Sequence, residues 1–249
     1  MSELQHPDSR AFELVADLYE RARPAYPPEA VDWIAERLDL RSGRVVLDLG
    51  AGTGKLSRAL VGTGADVIAV EPGDSMRAEL ERAVPDVQAL RGSAEDIPLP
   101  DASVDSVAVG QAFHWFRYEE AIPELHRVLR PGGGVALIWN ARDQESLIQR
   151  EVNELLSPFI PSERAAVVDS STHLAESTLF GPVEERRFHF VQNLDADGLV
   201  NRLASTSFVA ASTPEKQEEL EQRLRELARR HGGNVAFAYV TDVYVSRAA

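Results

Sequence analysis

Short runs rich in β-branched residues alternate with segments of helical periodicity, and that alternation restricts the fold more than any other feature of the chain. Strand, crossover helix and strand in repeated succession build a parallel sheet covered by helices. The runs are RVVLDL (44–49), DVIAVE (66–71), VQALRG (87–92), SVDSVAVG (103–110) and GVALIWN (134–140). Several are apolar on successive residues, the pattern of strands buried on both faces. Between them KLSRALVG, GDSMRAELERAV and YEEAIPELHRVLR carry apolar residues near helical spacing. Pro123 in the last of these is expected in a first turn or at a kink, because its ring removes a donor and clashes with the preceding turn. RPGGG (130–134) then ends that helix and turns the chain into the fifth strand.

After Asn140 the pattern loosens. QESLIQREVNELLSPF (144–159) and TPEKQEELEQRLRELARRHGG (213–233) read as helices, the second with Thr213 as its cap ahead of Pro214. VEERRFHFVQN and NVAFAYVTDVYVSR read as strands. The closing run alternates aromatic and β-branched residues, which suits an antiparallel position near a sheet edge.

The first strand runs straight into LGAGTGKL (49–56), a loop bare enough to cradle a ligand. A nucleoside-triphosphate loop needs Gly, four residues, then Gly-Lys-Ser/Thr; here Leu49 and Leu56 stand at its two ends, so that reading fails. The dinucleotide fingerprint G-x-G-x-x-G is weakened, because Gly50, Gly52 and Gly54 run G-x-G-x-G with Lys55 in place of the last glycine. In its favour, Glu71 closes the second strand, where an acid accepts hydrogen bonds from both ribose hydroxyls. Asp48 closes the first strand. Read as an anion, it would hold a cationic amino group and repel a pyrophosphate, so adenosine carrying a positive group is the expected ligand.

Composition narrows the partners. The chain has 26 Lys and Arg against 40 Asp and Glu, a net charge of −14, which argues against a large phosphate-binding surface and against nucleic acid as a partner. There is no cysteine, so disulfides, thiolate catalysis and cysteine-ligated metals are excluded, and no histidine pair has metal-site spacing. No stretch approaches the roughly 18 apolar residues that cross a bilayer, and the first residues have no apolar signal core, so the expectation is a cytoplasmic protein with no membrane partner. Nothing in the pattern indicates an oligomeric state.

LDLGAGTG and VEP (70–72) resemble the first motif and the ribose-binding acid of the class I S-adenosylmethionine-dependent methyltransferases. GSAEDIPLPDASVDSVAVGQAFHWF (92–116) and HRVLRPGGGVALI (126–138) are similar to later segments of the small-molecule group that includes the ubiquinone-biosynthesis and trans-aconitate enzymes. These motifs fall in the family's order across residues 44–140. The resemblance implies a Rossmann-like, seven-stranded, mostly parallel α/β sheet with helices on both faces and an antiparallel last strand. It implies one domain over 1–249: a helical lid segment (1–40), a cofactor-binding half (44–140) and a substrate-side half with the closing strands (141–249).

It also implies site residues. S-Adenosyl-L-methionine would be held by Asp48, Gly50, Gly52, Gly54 and Glu71, with Met76 on the adenine, Ala94 and Glu95 lining it, and Gln111 beside the methionine part. Many relatives have an acid where Ser93 stands, so the adenine amino contact falls to Ser93, Glu95 or Asp96. Tyr19, Arg23 and Tyr26, in LYERARPAYP, resemble the segment that folds over the cofactor, and Arg23 has a planar fork suited to a carboxylate.

QAFHWF (111–116) follows the fourth strand, and ligands of doubly wound sheets lie beyond the carboxyl ends of strands, so these residues are expected to look into the cleft. His114 is the candidate base and Tyr26 a candidate for aligning the methyl group. Phe113, Trp115 and Phe116 either floor a pocket or anchor the next helix, the second being the better reading for Phe116. The reading is methyl transfer to oxygen, nitrogen or carbon of a small molecule. A NAD(P)-dependent oxidoreductase and a non-catalytic S-adenosylmethionine-binding protein stand as alternatives. The acceptor itself has no motif in 141–212.

Overall fold

The computed structural model describes residues 23–160 and 171–249. Helix α1 (Pro28–Leu38) precedes β1 (Val45–Leu49), and α2 (Lys55–Val61), β2 (Asp66–Val70), α3 (Asp74–Ala83), β3 (Gln88–Leu90) and β4 (Val104–Gly110) follow. A 3₁₀ turn (Phe113–Trp115), α4 (Tyr118–Val128) and β5 (Leu129–Arg142) complete the alternating part. Beyond it lie α5 (Leu147–Leu156), α6 (Ser171–Ala175), β6 (Glu184–Asp195), α7 (Ala196–Ala204), α8 (Ser207–Ala210), α9 (Pro214–Arg230) and β7 (Asn234–Arg247). The strands form one sheet in the order β3-β2-β1-β4-β5-β7-β6. β1 to β5 are mutually parallel, and β7 runs antiparallel between β5 and the edge strand β6. The expected fold is the one observed.

Alternation along the strands splits the core. Val46, Ala108, Ala136 and Ile138 face α1, α2 and α3, whereas Leu47, Leu49, Val107, Val109 and Leu137 face α4. Both faces of β1 and β4 are covered, which is why their sequences read as unbroken apolar runs.

Two features matter for the site. The chain reverses sheet direction after β3, so β1 and β4 are neighbours and a crevice opens at their carboxyl ends. The later strands also overshoot. Pairing of β4 with β5 ends at Gly110↔Ile138, but β5 continues to Arg142 against Tyr239, and β6 pairs with β7 as far as Asp195↔Asn234. A third core, with Val152, Leu199, Leu203, Leu220, Leu224, Phe237 and Tyr239, packs α5, α7 and α9 onto this overhang.

Two local expectations are met only in part. Pro123 lies inside α4, which continues to Val128; tertiary packing of Ala121, Ile122, Leu125 and Val128 outweighs the lost donor. Thr213 stands at the N-cap of α9 but makes no capping bond to a backbone amide; its side chain hydrogen-bonds the Glu215 carboxylate instead.

Candidate active site

The glycine loop sits at the β1–β4 switch point. The amides of Gly50 and Ala51 both donate to Val70 O, at 2.8 and 3.1 Å, tying the loop to the end of β2. Gly50, Gly52 and Gly54 all have positive φ, so each is needed for conformation. Their surroundings differ. A methyl group on Gly50 would lie 2.8 Å from Ala112 Cβ and one on Gly54 3.0 Å from Leu80 Cγ, whereas one on Gly52 would meet nothing within 4 Å. Gly52 is therefore where the loop borders open space.

Asp48 is fully buried below this loop. Its Oδ2 accepts a 2.6 Å hydrogen bond from Ser57 Oγ, in the first turn of α2, and its Oδ1 is buried with no partner among the described residues. Burial pushes its carboxyl up to about 7, the Ser57 bond pulls it partly back, and the nearby Glu71 charge adds to the rise. The expectation of a standing anion is corrected accordingly: with no cationic partner this carboxylate is only partly ionised at neutral pH.

Glu71, nine-tenths buried, bridges the two loops. Its Oε2 accepts from Gly52 N and its Oε1 from Gly73 N, each at 2.8 Å. A carboxylate has about four lone-pair positions, so each oxygen retains capacity for a ligand hydroxyl. Met76 is buried in the first turn of α3.

The loop after β3 separates the candidates that the sequence left open. Ala94 is buried, and Glu95 Oε1 accepts from Arg117 N at 2.9 Å, at the N-cap of α4. Asp96 is exposed. Ser93 Oγ is buried with no hydrogen-bond partner among the described residues. The loop is pinned by α4: Glu124 accepts from Ile97 N, and Arg127 donates to Ile97 O and Leu99 O.

Gln111 holds a positive φ of 59°, with its amide on Ile138 O and its Nε2 on Asn140 O, at 3.0 and 3.1 Å. Tyr26 lies over the end of β4: a methyl group on Gly110 would fall 2.5 Å from the Tyr26 hydroxyl and 3.0 Å from Leu56. Gly110 is thus small because Tyr26 is there. The half-buried His114 stands in the 3₁₀ turn with its ring 4.6 Å from that of Trp115.

Of the two readings open for the aromatic residues of QAFHWF, burial selects the anchoring one for Phe113 and for Phe116, the latter as the sequence favoured. Phe113 is fully buried and packs on Phe116 and Tyr118, and Phe116 is itself buried, so both anchor the turn. Arg23 donates to Ser205 O, after the end of α7, at 3.0 Å. Tyr19 lies outside the described residues.

Sequence reasoning missed Ser57 and Asn140. A serine beside Leu56 and Leu60 on the buried face of α2 was the available signal for the first. Asn140 donates to Ala25 O and accepts from Thr241 Oγ1, fastening the segment that carries Tyr26 to β5 and β7. Nothing in its immediate sequence reveals those long-range partners.

An open sheet of this order, with a glycine loop and an acid at the end of β2 beside the switch point, defines a class of adenosine-cofactor proteins. Comparison with known proteins resolves the class. Residues 47–137 match the family described as a methyltransferase domain. An uncharacterized methyltransferase of Mycobacterium tuberculosis is 40% identical over 238 residues, 94% of this chain and 93% of its own. A solved structure described as a type II methyltransferase of Anaeromyxobacter dehalogenans superposes with a TM-score of 0.64 at 27% identity, covering 91% of this chain and 97% of that one. The phosphoethanolamine N-methyltransferase 2 of Haemonchus contortus, solved with phosphomonomethylethanolamine and S-adenosylhomocysteine, shares the fold with a TM-score of 0.55 at 16% identity. It covers 98% of this chain and 58% of that one. The chain belongs to the methyltransferase family and is a class I S-adenosylmethionine-dependent methyltransferase. The oxidoreductase alternative falls with that membership. No helix among the described residues is long and apolar enough to cross a membrane.

Proposed function

We propose that this protein transfers a methyl group from S-adenosylmethionine to an oxygen, nitrogen or carbon of a small acceptor, in the crevice between the glycine loop and the end of β4. The single observation that carries the placement is Asp48: a fully buried carboxylate with one oxygen lacking a partner and its ionisation held up to about 7. A buried acid in this condition is matched by a cationic group, and the cofactor's amino group is one. Ser93 Oγ supplies a second unmatched polar atom, and we assign it the adenine amino contact. Asp96 is exposed and Glu95 is occupied at Arg117, which supports that choice. Glu71 takes the ribose hydroxyls, Met76 and Ala94 flank the adenine, and Gln111 stands by the methionine part.

When bound, the cofactor supplies an electrophilic methyl on a sulfonium, which a nucleophile takes by in-line displacement. The chain's own residues have to align that nucleophile and exclude water. Tyr26 packs over the end of β4 and closes this side of the crevice. His114 accepts the proton that an attacking hydroxyl or amine must lose.

Calorimetric titration with S-adenosylhomocysteine, with NADH and NADPH on the same preparation as controls, tests the reading. One-to-one binding of the first alone is expected; absence of that binding overturns the site. Release of S-adenosylhomocysteine in the presence of an acceptor then separates an enzyme from a binding protein.

A further inference from the structure

The overhang holds a second buried charge that the methyl-donor site does not use. Arg202 lies on α7 between Leu199 and Leu203, on the apolar face of the helix, and is only 4% exposed. Its Nε donates to the hydroxyl of Tyr239, on β7, at 2.6 Å, and its guanidinium lies 5.5 Å from that ring's centre. Its Nη1 is buried without a hydrogen-bond partner among the described residues. Nearby, on α5, Gln149 is fully buried, with Nε2 on Ala238 O and its Oε1 without a partner.

The surroundings add positive charge. Burial pushes the Tyr239 hydroxyl above its ordinary range, and the charges that pull it back are those of Arg202, Arg23 and Arg142. Arg142 faces Tyr239 across the β5–β7 ladder, and Arg23 donates to Ser205 O, three residues beyond Arg202. Both are half-buried, so the cluster runs from the surface inward to Arg202.

A guanidinium removed from water is strongly unfavourable unless an anion shares its burial. In a chain of net charge −14, three arginines converging on one neutral hydroxyl are not a general electrostatic preference. β5 links the cluster to the crevice: Gln111 at the end of β4 donates to Asn140 O, and Arg142 follows two residues later on β5.

We infer that the Arg202 cluster is the acceptor's anchor, and that the acceptor is an oxyanion-bearing small molecule whose carboxylate or phosphate is held by Arg202 with Arg142 and Arg23 around it. The inference rests on the methyl-transfer reading above. A planar fork of donors matches either oxyanion with paired, charge-assisted hydrogen bonds. Anchoring the anion on the overhang leaves the other end of the acceptor to reach the crevice beside Tyr26 and His114.

The test is calorimetry on the full chain saturated with S-adenosylhomocysteine, titrated separately with citrate and with inorganic phosphate. Saturable binding of citrate supports a carboxylate acceptor, and of phosphate a phosphorylated one. Affinity for that anion should fall by roughly tenfold or more in Arg202→Met, a loss of the size seen when a charge-assisted pair is removed. Arg142→Gln, at a half-buried position, should weaken it about threefold and, with folding of both variants checked by circular dichroism, decides the question if Arg202→Met does not fold. Binding of neither anion, or unchanged affinity in both variants, overturns the inference while leaving the donor site standing. An anion that displaces S-adenosylhomocysteine also overturns it, because the cluster would then serve the cofactor's own carboxylate. Failure of S-adenosylhomocysteine to bind removes the reading beneath both.

Discussion

The glycine-loop half of the sheet and its overhang each bury a charged residue with a polar atom left unmatched, Asp48 in the first and Arg202 in the second, and the two were not equally visible. Asp48 is the next-to-last residue of β1, two positions before Gly50, and has its polar partner, Ser57, nine positions along the chain. Arg202 has its partner, Tyr239, 37 positions away on a strand running against β5. The first is a local arrangement that a motif records. The second exists only because α7 folds back on β7. A buried charge announces a ligand in both places, but sequence spacing announces it in one.

The largest effect that sharpens this contrast is expected from Asp48→Asn. Removing the anion from a buried charge pair costs about 2–5 kcal/mol of binding, so affinity for S-adenosylhomocysteine should drop by roughly thirtyfold to several thousandfold, measured by calorimetry. Anion binding at the overhang should persist; loss of both would mean that the halves are one site.

The same residue makes a pH prediction. Its carboxyl titrates near 7 in the unliganded fold against about 4 in an unfolded chain, so between those values the fold keeps a proton that the unfolded state has lost. This contribution to stability is full below about pH 4 and disappears as the pH rises to about 7. Urea denaturation of the unliganded protein across that range should therefore show a steeper decline in the wild type than in Asp48→Asn. Parallel curves would show that Asp48 is not the strained acid described.

His114→Ala comes next. A lost general base lowers turnover by about a hundredfold at the modest end, with S-adenosylhomocysteine affinity unchanged. A change in affinity with turnover spared would move His114 to the donor side. Gly110→Ala then tests the junction of the halves: its methyl meets the Tyr26 hydroxyl, so overpacking should cost about 1–3 kcal/mol in denaturation, with slower turnover. The smallest effect is expected from Ser93→Ala. A buried hydroxyl with no partner contributes nothing to the unliganded fold, so stability should hold while S-adenosylhomocysteine affinity falls less than tenfold. Unchanged affinity would return the adenine contact to Glu95 or Asp96.

The central strands β1 and β4 were readable because both of their faces are buried, which leaves unbroken apolar runs between turn signals. The closing strand, Asn234–Arg247, was readable by its alternation. Pro123 lies past the first turn of α4 because propensity is local and the packing of α4 is not. From sequence alone Phe113 stays open between two roles because the position of a residue after a strand does not say which way the following turn points it.

By itself, then, the sequence determined the alternating sheet, the glycine loop at its switch point and the acids that end β1 and β2, since all of these depend on neighbours within one strand-loop-helix unit. Only the tertiary structure decided that Asp48 is partly protonated, that Ser93 is the unmatched hydroxyl of its loop, and that Arg202 stands with Tyr239, Arg142 and Arg23. Each of those is a property of burial. Burial is conferred by elements far apart in the chain, and no window of sequence contains them.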